Sequence, residues 1–142
     1  MNEMRILLAD DDSEDRAFFK EALLEIIPSA HLSTVNDGKQ ATEYLEKCAE
    51  TDLPCAIVID YNMPIMNGPE LLDWLCSRPK FNGIDKIVWS TAHDKKYMDD
   101  CLGKGAIEYF VKANNYDGIK SIVQKVLAFC NYHPDFAIMP QA

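Results

Sequence analysis

Short apolar runs alternate with segments of helical periodicity along most of this chain. Residues 6–9 and 55–59 are continuous apolar runs bounded by polar or turn-forming residues, which is typical of strands buried on both faces of a sheet. By contrast, Ala41, Leu45 and Cys48 follow the i, i+4, i+7 spacing of an amphipathic helix. The pattern predicts strands near residues 4–9, 32–36, 55–60, 86–90 and 108–111, each followed by a helix.

Residues that favour helix N-termini precede each predicted helix. Ser13 is predicted to cap the first helix, because Glu14 and Asp15 then carry negative charge in its first turn. Asp12 is expected to be either a helix cap or a solvated residue. The other predicted helix starts lie at Asp37-Gly38, Asn67-Gly68-Pro69, His93-Asp94 and Asn114-Asn115.

Strict alternation of strands and helices predicts an α/β fold. Right-handed crossovers then give a doubly wound parallel sheet with helices on both faces. One domain is predicted over residues 1–131, followed by an irregular tail at 132–142 that contains prolines and no periodicity. Phe136 and Ile138 in this tail are candidates for docking on the domain or on a partner.

The composition narrows the class of protein. The chain has 142 residues, is 48% hydrophobic and carries a formal net charge of −9, which indicates a globular protein and argues against nucleic-acid binding. Its five cysteines lack the spacing of a zinc site and are expected to be small buried hydrophobic residues. With no long apolar segment, we expect a cytoplasmic protein without a membrane partner.

Charged side chains follow three of the predicted strands. Asp10 and Asp11 end the first strand, Asp60 ends the third, and Lys112 ends the fifth. The carboxyl ends of parallel strands meet at one edge of the sheet, so these groups are expected to converge there. Carboxylates that lie so close together repel one another unless a cation is present. A set of ligands made only of oxygen atoms favours Mg²⁺.

Such a pocket suits phosphoryl transfer to a carboxylate. Asp60 is single and central, which makes it the candidate nucleophile for an aspartyl phosphate. Lys112 and Mg²⁺ would neutralise the phosphoryl oxygens, and a hydroxyl at the end of the fourth strand would donate a hydrogen bond. Thr91 is preferred for this role because a small residue follows it, with Ser90 as the competing hydroxyl.

These motifs together resemble the receiver domain of two-component response regulators, of the stand-alone chemotaxis type. The similarity covers about residues 1–131 and rests on the acidic strand end at 10–12, the Asp60 loop through Gly68, Thr91-Ala92, and the segment 105–112. The resemblance implies a flavodoxin-like (βα)5 sandwich with strand order 2-1-3-4-5. It also implies a phosphorelay protein that is not a dedicated enzyme, with a sensor histidine kinase or histidine phosphotransfer protein as phosphodonor and an unidentified downstream protein as target.

The resemblance also assigns roles to single residues. Asp60 would be the phosphoacceptor, Asp11 a direct metal ligand, and Asp10 a ligand acting mainly through water. The metal would further contact Asp60 and the backbone carbonyl of Asn62. Thr91 and Lys112 would hold the phosphoryl group, and Tyr109 would change rotamer with Thr91 between two states, altering a surface formed by residues 94–131.

One position departs from the family pattern. Ala113 follows Lys112, where the family usually has proline after the lysine. A cis bond before a residue other than proline costs about 2.5–4 kcal/mol, so the Lys112–Ala113 bond is predicted to be trans. Asn114 or Asn115 is then expected to redirect the chain by turn or left-handed geometry.

Two other functions share parts of this pattern. A small phosphatase of the haloacid-dehalogenase type would use Asp10 of the first strand as nucleophile, since residues 10–12 satisfy a strand-end D-x-D pattern. A flavodoxin-like electron carrier would share the fold, but acids at the end of the first strand would repel an FMN phosphate. Acetyl phosphate should label Asp60 in a receiver and Asp10 in a phosphatase, which distinguishes these two functions. A yellow colour of the purified protein would identify the electron carrier.

Overall fold

A single parallel sheet organises residues 4–130, which are the residues that the computed structural model describes. Its strands pair in the order β2-β1-β3-β4-β5, and every neighbouring pair is parallel. The predicted doubly wound fold is therefore confirmed. The strands are β1 (Arg5–Ala9), β2 (His31–Val35), β3 (Ala56–Ile59), β4 (Asp85–Ser90) and β5 (Glu108–Val111).

Helices follow the strands in strict alternation, as the periodicity predicts. The α-helices are α1 (Ser13–Ile26), α2 (Gly38–Lys47), α3 (Gly68–Cys76), α4 (Lys95–Gly103) and α5 (Tyr116–Phe129), and short 3₁₀ helices lie at Glu50–Asp52 and Pro79–Phe81. The irregular tail predicted at 132–142, including Phe136 and Ile138, lies outside the described residues.

The core has two layers, one on each face of the sheet. Leu7 of β1 packs in the layer that α2, α3 and α4 cover, whereas the next residue, Leu8, packs in the layer that α1 and α5 cover. Both side chains are fully buried. Because successive side chains of a strand point to opposite faces, burial of both faces requires the continuous apolar runs seen in the sequence.

The first helix begins one residue earlier than predicted. Asp12 is the N-cap residue, and its carboxylate accepts hydrogen bonds from the backbone N–H groups of Glu14 (2.9 Å) and Asp15 (3.0 Å). Ser13 is the first residue of α1, so its prediction as the cap was wrong. A carboxylate is the stronger acceptor next to the positive end of a helix dipole, and here it fills the position one residue upstream.

The cysteines are less uniformly buried than predicted. Cys101 is buried, but Cys48, Cys55 and Cys130 are half-buried and Cys76 is exposed. The Cys76 thiol donates to the backbone carbonyl of Lys104 at 3.1 Å, which gives this exposed side chain a polar partner.

No helix within residues 4–130 has the length and apolar character needed to cross a bilayer.

Backbone hydrogen bonds extend the sheet one residue beyond the strand ends. The N–H of Asp10 donates to Val35 (3.1 Å), that of Asp60 donates to Ala9 (2.9 Å), and that of Lys112 donates to Ser90 (2.8 Å). Each of the three charged residues is thus tied to the neighbouring strand through its own backbone. The sheet register therefore fixes the backbone positions from which the Asp10, Asp60 and Lys112 side chains extend.

Candidate functional site

Lys112 lies at the centre of an acidic pocket at the carboxyl edge of the sheet. Its Nζ is 2.8 Å from Asp10 Oδ2, 3.2 Å from Asp60 Oδ2 and 2.7 Å from Asp15 Oδ2. The Lys112 side chain is 6% exposed and that of Asp60 is 8% exposed, so these ion pairs are shielded from solvent. The structure thus brings together Asp10, Asp60 and Lys112, as predicted.

Asp10 is the most deeply buried acid of this pocket, with no exposed surface. Its Oδ1 accepts the backbone N–H of Asp12 at 2.9 Å, and its carbonyl accepts a hydrogen bond from Arg16 Nη1 at 2.7 Å. Burial raises the pKa of the Asp10 carboxyl to about 6, against the opposing effect of the Lys112 ammonium. An anion held at this depth calls for a cation beside it.

Lys112 supplies that cation in the structure. Burial by itself would lower the pKa of the Lys112 ammonium, but its close contacts with Asp10 and Asp15 and the charge of Asp60 raise that pKa above its ordinary value. The ammonium also lies 5.0 Å from the centre of the Trp89 ring, within range of a cation–π contact. Lys112 is therefore fully protonated at neutral pH and fixed between the strand ends.

The carboxylates also have the arrangement of a metal site. One oxygen from each of Asp10, Asp11 and Asp60 lies within 4.8 Å of the others, and Asp11 is exposed to solvent. Asn62, whose backbone carbonyl was the fourth predicted ligand, is exposed in the loop after Asp60. Carboxylate and carbonyl oxygens, open to water on one side, fit the hard, partly hydrated coordination that Mg²⁺ prefers.

The loop after β3 is held in place at several points. The N–H of Gly68 donates to the Tyr61 carbonyl at 2.9 Å, and the N–H of Gly38 donates to the Met66 carbonyl at 2.9 Å. A Cβ atom on Gly68 would lie 2.7 Å from the Asp60 carbonyl oxygen, so only glycine allows this close approach. The loop therefore packs the start of α3 directly against the backbone of the candidate nucleophile.

Ile65, in the same loop, has an unusual backbone conformation. Its φ is +69°, and no other residue except glycine has a positive φ within residues 4–130. The Ile65 side chain is 76% exposed. A β-branched residue in the left-handed region is strained, and sequence reasoning gave no warning of it because Ile is not a typical residue for that conformation.

Two hydroxyls at the end of β4 have different surroundings. Ser90 is fully buried, and its Oγ accepts the backbone N–H of Ala92 at 3.2 Å. Thr91 is exposed, and its carbonyl lies 3.2 Å from His93 Nδ1. The structure places both residues at the predicted edge of the sheet.

Tyr109 is 5% exposed and points inward beneath this strand end. Its hydroxyl donates to the Ala92 carbonyl at 2.5 Å. Burial raises the pKa of Tyr109 to about 12, and a hydrogen bond with the Ser90 side chain opposes that rise. Tyr109 therefore contacts the residues on either side of Thr91. This position agrees with the family resemblance, which implies that Tyr109 moves together with Thr91.

The connection from Lys112 into α5 confirms the predicted trans bond and shows which of the two predicted geometries the asparagines adopt. No cis peptide bond occurs between residues 4 and 130, so Lys112–Ala113 is trans. The chain bends at Asn114 and Asn115, as predicted, but neither residue adopts left-handed geometry. Instead, Asn115 has extended backbone and caps α5, where its side chain accepts the N–H of Gly118 at 2.7 Å. The asparagine adapts the loop through a side-chain hydrogen bond because capping satisfies an otherwise unpaired helix donor.

Sequence reasoning missed Asp15 as a member of the pocket. Asp15 was assigned only to the favourable charge of the first helical turn, yet it makes the shortest of the contacts to Lys112. The available signal was its position in the first turn of the helix that directly follows the acidic strand end. That signal could be used only with knowledge that the first turn of α1 lies close to Lys112 at the end of β5.

The fold and this pocket define a class of protein that comparison with known families identifies. The family model described as "Response regulator receiver domain" matches residues 6–124. The chain belongs to this family, whose members are receiver domains of two-component response regulators. Such domains act in signalling, are not dedicated enzymes, and typically bind Mg²⁺ at an acidic pocket.

Individual relatives agree with the family assignment. The two-component response regulator ARR7 of Arabidopsis thaliana is 28% identical over 132 residues, which covers 88% of this chain and 63% of ARR7. The chain therefore spans less than two thirds of that relative's length. Among solved structures, the phosphorylated cyanobacterial phytochrome response regulator RcpA has a TM-score of 0.82 and 26% identity, with 91% of this chain and 94% of RcpA covered.

A second solved structure is similarly close. The Mn²⁺-bound form of response regulator Rcp1 has a TM-score of 0.77 and 25% identity, with 89% of this chain and 93% of Rcp1 covered. Homologous response regulators act with histidine kinases or phosphotransfer proteins. The domain boundary predicted at residue 131 stays a prediction, since α5 ends at Phe129 and the described residues end at 130.

Proposed function

We propose that this protein is a phosphorylatable receiver that accepts a phosphoryl group on Asp60. The observation that carries the proposal is the convergence of Asp10, Asp11, Asp60 and Lys112 at one edge of the sheet. An Asp60 carboxylate oxygen attacks phosphorus, and the bond from phosphorus to the donor's imidazole nitrogen breaks. The electron pair of that bond leaves with the imidazole, and the product is an aspartyl phosphate.

The acids of the pocket fit a divalent cation, and we assign it to Mg²⁺. Asp10, Asp11, Asp60 and the backbone carbonyl of Asn62 would hold it, with Asp10 acting mainly through water. When bound, Mg²⁺ supplies positive charge that offsets the negative oxygens of the phosphoryl group. The fit rests on three carboxylate oxygens within 4.8 Å of one another and on the open, exposed side at Asp11.

Lys112 and one hydroxyl of β4 contact the phosphoryl oxygens in this proposal. The Lys112 ammonium lies 3.2 Å from Asp60 Oδ2, so a phosphoryl group on Asp60 would be within its reach. We assign the hydroxyl to Thr91, as the family motif does, because Thr91 is exposed at the end of β4, whereas Ser90 is fully buried and its Oγ accepts the Ala92 N–H. Variants of both residues test this assignment.

The phosphodonor that we propose is a sensor histidine kinase or a histidine phosphotransfer protein in the cytoplasm. Support comes from the family and from two similar proteins, RcpA solved in a phosphorylated form and Rcp1 solved with Mn²⁺. The signal would leave through protein–protein contacts with a downstream target, made by the surface of α4, β5 and α5. We propose no nucleic-acid or membrane partner, in keeping with the net charge of −9.

Labelling with acetyl phosphate tests this function directly. We expect Mg²⁺-dependent phosphorylation of the wild-type protein, detected by intact mass and mapped after borohydride reduction of the acyl phosphate. Asp60→Asn should abolish the label. Asp52→Asn, which removes an exposed acid of a 3₁₀ helix, is the matched control and should retain it.

The mapped position separates the receiver from the alternative phosphatase. A label on Asp10 would indicate the haloacid-dehalogenase type of chemistry and contradict the receiver. Persistence of the wild-type label in Asp60→Asn would contradict the assignment of Asp60. A label on Asp60 that EDTA abolishes would support both the nucleophile and the metal.

A further inference from the structure

Asp15 stands apart from the other acids that contact Lys112. Asp10 and Asp60 belong both to the contacts of Lys112 and to the candidate metal cluster, whereas Asp15 contacts Lys112 and is not part of that cluster. The Asp15–Lys112 distance of 2.7 Å is the shortest of the three. Lys112 therefore has one partner that a metal ion at the cluster would leave free.

The position of Asp15 is fixed by its helix. Its backbone N–H donates to Asp12 Oδ1 at 3.0 Å in the capped first turn of α1. The Asp15 side chain is 26% exposed, but its partner Lys112 is only 6% exposed and packs against the Trp89 ring. This geometry differs from that of an ordinary surface ion pair, in which both side chains are mobile and solvated.

A competition for oxygen atoms follows from the contacts. An ammonium carries three hydrogens, and in the structure Asp10, Asp15 and Asp60 each have an oxygen within 3.2 Å of Lys112 Nζ. A divalent cation that binds Asp10 and Asp60 must share or replace the ammonium at those two carboxylates. The ease of that exchange depends on how well Lys112 is held elsewhere.

We propose that Asp15 is a positioning residue that retains the Lys112 ammonium while a divalent cation takes over Asp10 and Asp60. Lys112 would pivot on its contact with Asp15, which frees its other hydrogens for an oxygen of the incoming phosphoryl group. Without Asp15, the ammonium would remain fully committed to Asp10 and Asp60 and would compete more strongly with the metal. This inference rests on the proposed function and extends it to the control of metal binding.

The test is a Mg²⁺ titration followed by Trp89 fluorescence and by calorimetry. Trp89 lies beside Lys112, so movement of the ammonium should change its emission. Trp74→Phe removes the second tryptophan and serves as the background for all variants. We expect Asp15→Asn to weaken Mg²⁺ binding roughly fivefold, the low end of typical coupling between sites.

Two controls separate positioning from a general loss of negative charge. Glu14→Gln removes one charge from an exposed neighbour in the same helical turn and should leave the Mg²⁺ affinity nearly unchanged. Lys112→Ala should tighten Mg²⁺ binding, because the competing ammonium is gone. In the Lys112→Ala background, Asp15→Asn should have no further effect, because Asp15 acts through the ammonium.

The outcomes divide clearly. Unchanged affinity in Asp15→Asn, an equal loss in Glu14→Gln, or an equal loss with and without Lys112 would each overturn the positioning role. Those results, together with intact Mg²⁺ binding and labelling of Asp60 in the wild-type protein, would leave the proposed function standing. Failure of the wild-type protein to bind Mg²⁺ at all would overturn both proposals.

Discussion

The hydroxyl of Tyr109 donates a hydrogen bond of 2.5 Å to the backbone carbonyl of Ala92. Tyr109 belongs to β5, and Ala92 belongs to the loop that leads from β4 into α4. The bond thus joins the strand end that carries the candidate hydroxyls to the face built by α4, β5 and α5. A movement of the β4 loop toward Asp60 would act on this bond, so the bond links the pocket to that face.

We therefore expect phosphorylation to change the surface formed by residues 94–130. A ligand shifts a conformational equilibrium only through its different affinity for the two states, and a new hydrogen bond from the β4 loop to the phosphoryl group supplies that difference. Adding beryllofluoride and Mg²⁺ should shift amide NMR signals across α4, β5 and α5. Shifts confined to residues 10–12 and 60–68 would show that the pocket and this surface are not coupled.

The two hydroxyls of the β4 end can be separated by mutation. Ser90 is fully buried and its Oγ accepts the Ala92 N–H, while Thr91 is exposed. We expect Thr91→Ala to remove most of the beryllofluoride-induced shift at Tyr109 and Ser90→Ala to have a smaller effect. The opposite ranking would assign the phosphoryl contact to Ser90, against the family motif.

The strain at Ile65 predicts a stabilising substitution. Left-handed geometry costs a residue with a side chain roughly 1–2 kcal/mol, and asparagine tolerates it better than a β-branched residue. Because Ile65 is 76% exposed, little apolar burial is lost on substitution. We expect Ile65→Asn to raise the free energy of unfolding by about 1 kcal/mol in urea denaturation.

The matched control for this substitution is Ile107→Asn. Ile107 is also exposed, at 44%, and is not among the positive-φ residues. It has no left-handed strain to relieve, so its replacement should give no gain in stability. Equal effects of the two substitutions would mean that the backbone conformation of Ile65 does not limit stability.

The close approach of Gly68 to Asp60 predicts a site-specific sensitivity. A Cβ at position 68 would lie 2.7 Å from the Asp60 carbonyl oxygen and 3.0 Å from Tyr61 Cα. Gly68→Ala should destabilise the protein by about 1–3 kcal/mol, as overpacking generally does, and slow the labelling of Asp60. Gly83→Ala, where a Cβ meets nothing within 4 Å, should change neither stability nor labelling.

The lifetime of the aspartyl phosphate should depend on His93. His93 follows Thr91 by two positions, and its Nδ1 lies 3.2 Å from the Thr91 carbonyl, so we expect the ring to shield one side of a phosphoryl group on Asp60. We expect His93→Ala to accelerate loss of the phosphoryl group, measured by mass spectrometry after removal of the donor. His31→Ala, at the start of β2 on the opposite edge, is the control, and equal rates in the two variants would exclude shielding by His93.

Local patterns in the sequence determined the elements and the chemistry of the pocket. Continuous apolar runs such as 6–9 determine strands covered on both faces, because only full burial makes an unbroken apolar run favourable. The alternation of those runs with helical segments determines a parallel sheet, and parallel strands bring Asp10, Asp60 and Lys112 to one edge. These conclusions depend on hydrophobic periodicity and on the order of the elements, and both can be read directly from the sequence.

Only the tertiary structure decided which side chains meet across that edge. The contact of Asp15 with Lys112 joins residues 97 positions apart, and it depends on how α1 leans against the sheet. The cap at Asp12 rather than Ser13 and the left-handed backbone of Ile65 depend equally on how the adjoining loops pack. Local propensities differ by less than the energies of packing and ion pairing, so the final arrangement of these residues is set by the assembled domain.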